Sequence, residues 1–176
     1  SARARAVRFK TLIAASAVAA LLAAWFGSGL LRRGQHVLQP EAVVWYNRGT
    51  SAIREGAYFQ ASKALERALE IDNAFALARA RQSEAYAEIE LTDRAREELL
   101  QAMALLPDRS TLSEAESLYL DAVAATLNRD VKTAIDKYSK IVDSVADVEK
   151  SAAYVDLGRA YEKDENLDKA IESYGR

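Results

Sequence analysis

The side chains able to do chemistry in this 176-residue chain are mostly carboxylates, 26 Asp and Glu in all, against one histidine and no cysteine. Without cysteine there is no disulfide, no thiol nucleophile and no thiolate metal site. His36 has no second imidazole with which to share a metal and no Ser/Asp pair with which to form a triad; it reads as a solvated linker residue. Neighbouring acids such as Glu97 with Glu98, or Glu84 with Glu88, are the residue types that divide acid and base roles in hydrolases. On the exposed helix faces of so acidic a chain they need no such role, and no glycine-rich phosphate loop accompanies them. No catalytic residue, metal or cofactor is expected, so function must rest on surfaces.

The charge is divided along the chain. Residues 1–35 hold six bases (Arg3, Arg5, Arg8, Lys10, Arg32, Arg33) and no acid, leaving 18 Lys and Arg against 26 Asp and Glu in 36–176, about −8 net. An acidic body repels a phosphate backbone, which argues against nucleic acid as a partner of these residues. Between the basic clusters, Thr11–Leu31 runs 21 positions without a charge. At about 1.5 Å per residue that is about 31 Å of helix, the thickness of a bilayer's hydrocarbon core. Trp25 and Phe26 stand toward one end, where aromatics seat at headgroups. The expectation is a basic flank at 1–10, a transmembrane helix at 11–31 and a linker at 32–41. Four bases before the span and two after it place the N-terminal side in the cytoplasm and 36–176 across an inner or plasma membrane. Ala15, Ala19 and Ala23 form a small-residue stripe that would let two spans pack closely, as a homodimer. Ser1 in place of Met, and a helical pattern running uncapped to Arg176, suggest a longer protein at both ends.

The rest of the chain repeats. Trp45, Arg79, Leu118 and Tyr154 hold equivalent places, and four residues after each comes a small one: Gly49, Ser83, Ala122, Gly158. Ala61, Ala95, Ala134 and Ala170 follow at a fixed offset, then Leu65, Leu99, Tyr138 and Tyr174. Spacings of 34, 39 and 36 residues indicate stacked helical hairpins at 42–75, 76–109, 115–148 and a truncated 151–176. Extra residues fall near Ser110–Glu114 and Glu149–Lys150, both assigned to connections. In each unit the small residue of the first helix should face the Ala of the second, with Leu or Tyr filling the space beside them. Turns are expected at Glu55-Gly56, Thr92-Asp93, Asn128-Arg129-Asp130 and Asp164-Glu165-Asn166.

The stretches "WYNRG", "YFQASKALERALEID", "LTDRAREELLQAMALLP" and "YVDLGRAYEKDENLDKAIESY" resemble the tetratricopeptide repeat family over Ala42–Arg176. The resemblance implies an all-α solenoid whose first helices line a concave wall that holds a peptide or partner helix. The lining it implies is Val43, Tyr46, Asn47, Thr50 and Arg54 from the first unit, and Leu77, Arg81, Glu84 and Glu88 from the second. Glu116, Tyr119, Leu120 and Val123 would come from the third, and Asp156 and Arg159 from the fourth. Some family members clamp a C-terminal carboxylate on this wall; Tyr46 and Thr50 stand where that clamp wants Lys, so an extended or amphipathic peptide fits better.

A span followed by such repeats is also similar to the layout of some bacterial eukaryotic-like serine/threonine kinases, with the repeats outside the membrane. No kinase motif is present in these residues. The resulting expectation is a membrane-anchored interaction or sensory module, the extracytoplasmic part of a signalling receptor. The alternative is an envelope-assembly or translocon-associated scaffold.

Overall fold

Alanine and leucine at helical spacing, broken by short polar turns, give helices and nothing else across the region the structure shows. The structure is a computed structural model that describes residues 36–176. The span expected at 11–31, its flank at 1–10 and the start of the linker lie outside the described residues. Among those described, no helix is long and apolar enough to cross a membrane.

Among the described residues, eight helices pair into four hairpins: α1 (Pro40–Arg54) with α2 (Tyr58–Ile71), α3 (Ala76–Glu88) with α4 (Thr92–Leu105), α5 (Glu114–Leu127) with α6 (Val131–Ser144), and α7 (Asp147–Lys163) with α8 (Leu167–Tyr174). Each hairpin turns the same way. Ala57, Leu91, Asp130 and Asn166 donate backbone N–H to the carbonyl five residues back, at 2.8–3.0 Å. The residue before each stands at positive φ: Gly56 at 74°, Glu90 at 64°, Arg129 at 59° and Glu165 at 56°. That is the left-handed helix end that satisfies orphan carbonyls. Asp130 and Asn166 then cap the next helix through their side chains. The second turn, Ile89–Glu90, lies three residues before the expected one. Thr92 and Asp93 open α4, because the same residue types that favour turns also favour a helix's first turn.

The small residues are buried as their spacing requires, but the side chain nearest each glycine is not the expected Ala. Ala61, Ala95, Ala134 and Ala170 are buried. A Cβ placed on Gly49 would come within 2.5 Å of Leu65 Cγ, and one on Gly158 within 2.5 Å of Tyr174 Cε1. The side chain lying over each glycine is therefore the Leu or Tyr sixteen residues on.

Consecutive hairpins stack α2 on α3 and α6 on α7. The middle junction differs. The connection Leu106–Ser113 is longer than the others, and α5 leans more closely on α3 than on α4. The two extra residues at Glu149–Lys150 lie inside α7, lengthening it rather than its connection. With the middle junction so packed, the array turns tightly enough for α7 to reach α1.

Candidate functional site

The inner wall is made by the first helices of the hairpins, α1, α3, α5 and α7, and it divides into an open cleft and a closed seam.

The seam is a run of ion pairs. On α3, Arg81, Glu84 and Glu88 share one face at helical spacing; on α7, Asp156, Arg159 and Lys163 do the same. Arg81 Nη2 donates to Asp156 Oδ2 at 3.1 Å, and Arg159 Nη1 to Glu84 Oε1 at 2.5 Å. Lys163 Nζ donates to Glu88 Oε2 at 3.0 Å. All three pairs are separated by 75 residues, so the helices run parallel with a constant offset. Cross-links tie the rungs together: Arg81 to Glu84 at 2.9 Å and Arg159 to Glu88 at 2.8 Å. Arg54, from the end of α1, donates to both oxygens of Asp156 at 3.0 and 3.3 Å. Tyr119 of α5 donates its hydroxyl to Glu84 at 2.8 Å, while its ring lies 4.0 Å beneath the Arg81 guanidinium.

Burial sets the electrostatics. The side chains of Arg81, Glu84, Asp156 and Arg159 are buried, whereas Arg54 and Lys163, at the two ends, are 28% and 37% exposed. Burial alone would push Glu84 up, but the charges of Arg159 and Arg81 and the hydrogen bonds from Tyr119 and Arg159 outweigh it and hold the carboxyl at about 2. Arg81 and Arg159 stay charged: burial works against them, and the surrounding acids and tyrosines prevail. Burial raises the Tyr119 hydroxyl well above its ordinary value, Arg81 opposing and Glu84 reinforcing the rise.

Beside the seam lies a cleft of about 480 Å³. Val43, Tyr46 and Asn47 of α1, Leu77 of α3, and Glu116 and Tyr119 of α5 wall it, with Arg54, Arg81 and Asp156 at its floor. Nine of the fifteen expected groove residues therefore surround one space. Its remaining wall includes Phe75, Val145, Val148, Glu149 and Ala152, which the repeat alignment does not point to. Val148 stands at the mouth, 89% exposed.

The other six lie elsewhere. Glu84, Glu88 and Arg159 belong to the seam, and Glu84 is buried rather than on an exposed acidic face. Leu120 and Val123 are covered in the core, because α5 packs on both α3 and α6; Val123 lines only a small space of about 20 Å³ that it shares with Glu84, Glu88, Asp156 and Arg159. Thr50 is buried as well, and its hydroxyl makes no hydrogen bond among the described residues. The cleft offers no free cation for a terminal carboxylate: Arg54 and Arg81 are both taken by Asp156, and Asn47 is exposed. Among the described residues no group of His, Asp and Glu is arranged to hold a metal ion.

The repeat alignment did hold a signal for the seam. Positions 81, 84 and 88 are equivalent to 156, 159 and 163, and the charges are reversed between them. The matching residues of the third unit, Leu120, Val123 and Leu127, are apolar. Lys163, which completes the pattern, lies one turn beyond Arg159.

The family model for the tetratricopeptide repeat matches residues 42–75 and 151–176, the first and last hairpins. The chain thus carries tetratricopeptide repeats. No curated protein sequence matches it. Among solved structures it is similar to the Sgt2 TPR domain from Aspergillus fumigatus, at 20% identity over 76% of this chain and 85% of that one, with a TM-score of 0.43. It is similar to MamA from Desulfovibrio magneticus RS-1, at 20% identity over 76% and 72%, with a TM-score of 0.38. Likewise it is similar to BtubC from P. vanneervenii, at 15% identity over 86% and 68%, with a TM-score of 0.44.

Proposed function

We propose that the tetratricopeptide array of this chain is a protein-interaction module that docks a peptide in the cleft between α1, α3, α5 and α7. The observation that carries this reading is the cleft itself. Its volume of about 480 Å³ falls within the range of ligand sites, and its walls mix apolar side chains with a few polar ones. Val43, Tyr46, Leu77 and Val148 would take one or two apolar anchor residues. Glu116 and Glu149 at the rim form no ion pair with another described residue and would favour basic residues flanking those anchors.

The module's setting is part of the proposal. The uncharged stretch Thr11–Leu31 between basic flanks supports a membrane tether, and the charge bias across it supports an extracytoplasmic array. Together with the similarity in layout to receptor kinases, this favours the sensory half of a signalling receptor.

The test is selection from a random peptide library on the full chain held in lipid nanodiscs. Selected peptides should carry apolar anchors beside basic residues. They should bind at least tenfold more weakly to Tyr46→Ser and Val148→Asp, and equally well to Leu100→Lys, a control on the exposed face of α4. Equal binding to all three variants would remove the cleft from the account. Protease protection of a C-terminal tag in sealed vesicles tests the orientation separately.

A further inference from the structure

The seam has properties that a purely structural contact does not need. Burying four charges carries a large desolvation cost, and apolar side chains of similar volume usually hold helices together at least as well. Apolar residues do occupy the equivalent positions of α5, where Leu120 and Val123 are wholly covered. Nor is the seam saturated: the buried Nε donors of Arg81 and Arg159 make no hydrogen bond among the described residues. Charge at these places gives register. α3 presents a base followed at +3 and +7 by acids, and α7 presents an acid followed at +3 and +7 by bases, with each rung closing between equivalent positions.

We propose that α3, together with the end of α1, is a helix-reading surface, that α7 is its resident ligand, and that the partner it recognises is a helix of the α7 type. Such a helix carries Asp or Glu at one position and Arg or Lys three and seven residues later, and it docks parallel to α3. The array then has a closed state, in which α7 fills the surface, and an open state, in which a partner helix replaces it. This surface shares Arg54, Arg81 and Asp156 with the cleft, and α7 also walls the cleft. Its ligand is a charged helix rather than an apolar-anchored peptide, so failure of one reading is distinguishable from failure of the other. The end rungs are where exchange begins, because Arg54 and Lys163 are the partly exposed members.

The test uses the full chain and a fluorescent peptide of residues 147–163, followed by anisotropy. A chain carrying Asp156→Asn and Arg159→Gln has a weakened resident helix and an intact α3. It should bind the native peptide at least tenfold more tightly than the wild-type chain does. The peptide bearing those two substitutions should lose at least tenfold on the same receptor. If the doubly substituted chain loses its helical circular dichroism, Lys163→Ala serves instead, since it weakens only the resident helix and leaves the buried rungs and Arg54 in place; a gain of about threefold over wild type is expected there. Equal binding to wild type and variant, equal binding of the charged and substituted peptides, or no binding at all would overturn the proposal. So would a wild-type dimer in sedimentation that the α7 substitutions abolish, which would assign the surface to a second copy of the chain.

Discussion

Glu84 and Arg159 hold the same position in the second and fourth repeats, carry opposite charges, and meet as a buried ion pair. Glu84 also accepts from Arg81 and Tyr119, so one carboxylate anchors three donors. Its removal leaves two buried guanidiniums short of an acceptor. Glu84→Gln should therefore destabilise the array by about 3–5 kcal/mol, the usual cost of breaking rather than replacing a buried pair. Urea unfolding followed by circular dichroism measures it. A loss under about 1 kcal/mol would mean the seam is solvated in solution.

The same carboxyl fixes the acid limb of stability. Its pKa in the folded protein is about 2, below the ordinary value of 4.5, so the unfolded chain binds the proton first as pH falls. The contribution is fully present above about 4.5 and is lost on the way down to about 2, amounting to about 3 kcal/mol. Tyr119 acts with the opposite sign. Burial raises its hydroxyl, so above pH 10 the unfolded chain ionises while the folded one does not, and stability falls as pH rises. Unfolding free energies measured from pH 2 to 11 should give a plateau between about 5 and 9.5. Glu84→Gln should flatten the acid limb and, by removing the charge that reinforces the rise of the Tyr119 hydroxyl, also soften the alkaline one.

Two glycines at equivalent positions predict unequal costs. A methyl on Gly49 would meet Leu65, which is fully buried, whereas one on Gly158 would meet Tyr174, whose side chain is 41% exposed. Leu65 has nowhere to go, and Gly49→Ala should cost about 2–3 kcal/mol by overpacking. Tyr174 can swing outward, so Gly158→Ala should be near neutral once about 0.5–1 kcal/mol of helix propensity is credited. Adding Leu65→Ala to Gly49→Ala should cost less than the sum of the two single changes; additivity in that cycle would show that the clash is not the cause.

What the sequence made legible follows the range over which each contact acts. Gly49 and Leu65 lie within one hairpin, so the repeat period places them on facing helices, although Leu65 rather than the expected Ala61 covers the glycine. The seam needs α7 to return to α3 across two junctions, and that depends on how α5 seats after the long Leu106–Ser113 connection. No local pattern encodes that angle, and Leu120 and Val123 were accordingly expected on an open wall rather than in the core. The reversed charges at 81/156, 84/159 and 88/163 were in view. They signify a pairing only when the two helices are known to face each other.

The hairpin turns carry a last consequence. Four equivalent residues adopt the left-handed conformation, and only Gly56 among them is glycine. At Glu90, Arg129 and Glu165 the Cβ crowds the following carbonyl, at a cost of about 1–2 kcal/mol each. The backbone bonds are the same in all four turns, since each residue also donates its N–H three residues back, at 3.0–3.2 Å. The three side chains are exposed, so little packing is lost when they are removed. Glycine would relieve the crowding but adds backbone freedom to the unfolded chain, which returns part of the gain. Each of Glu90→Gly, Arg129→Gly and Glu165→Gly should therefore stabilise by up to about 1 kcal/mol, and the gains should add because the turns lie far apart in the fold. Gly56→Ala should destabilise by a similar amount despite the open space around its Cβ position. Thermal melts of the triple variant against wild type test this; an unchanged or lower midpoint would show that the left-handed turns are not strained.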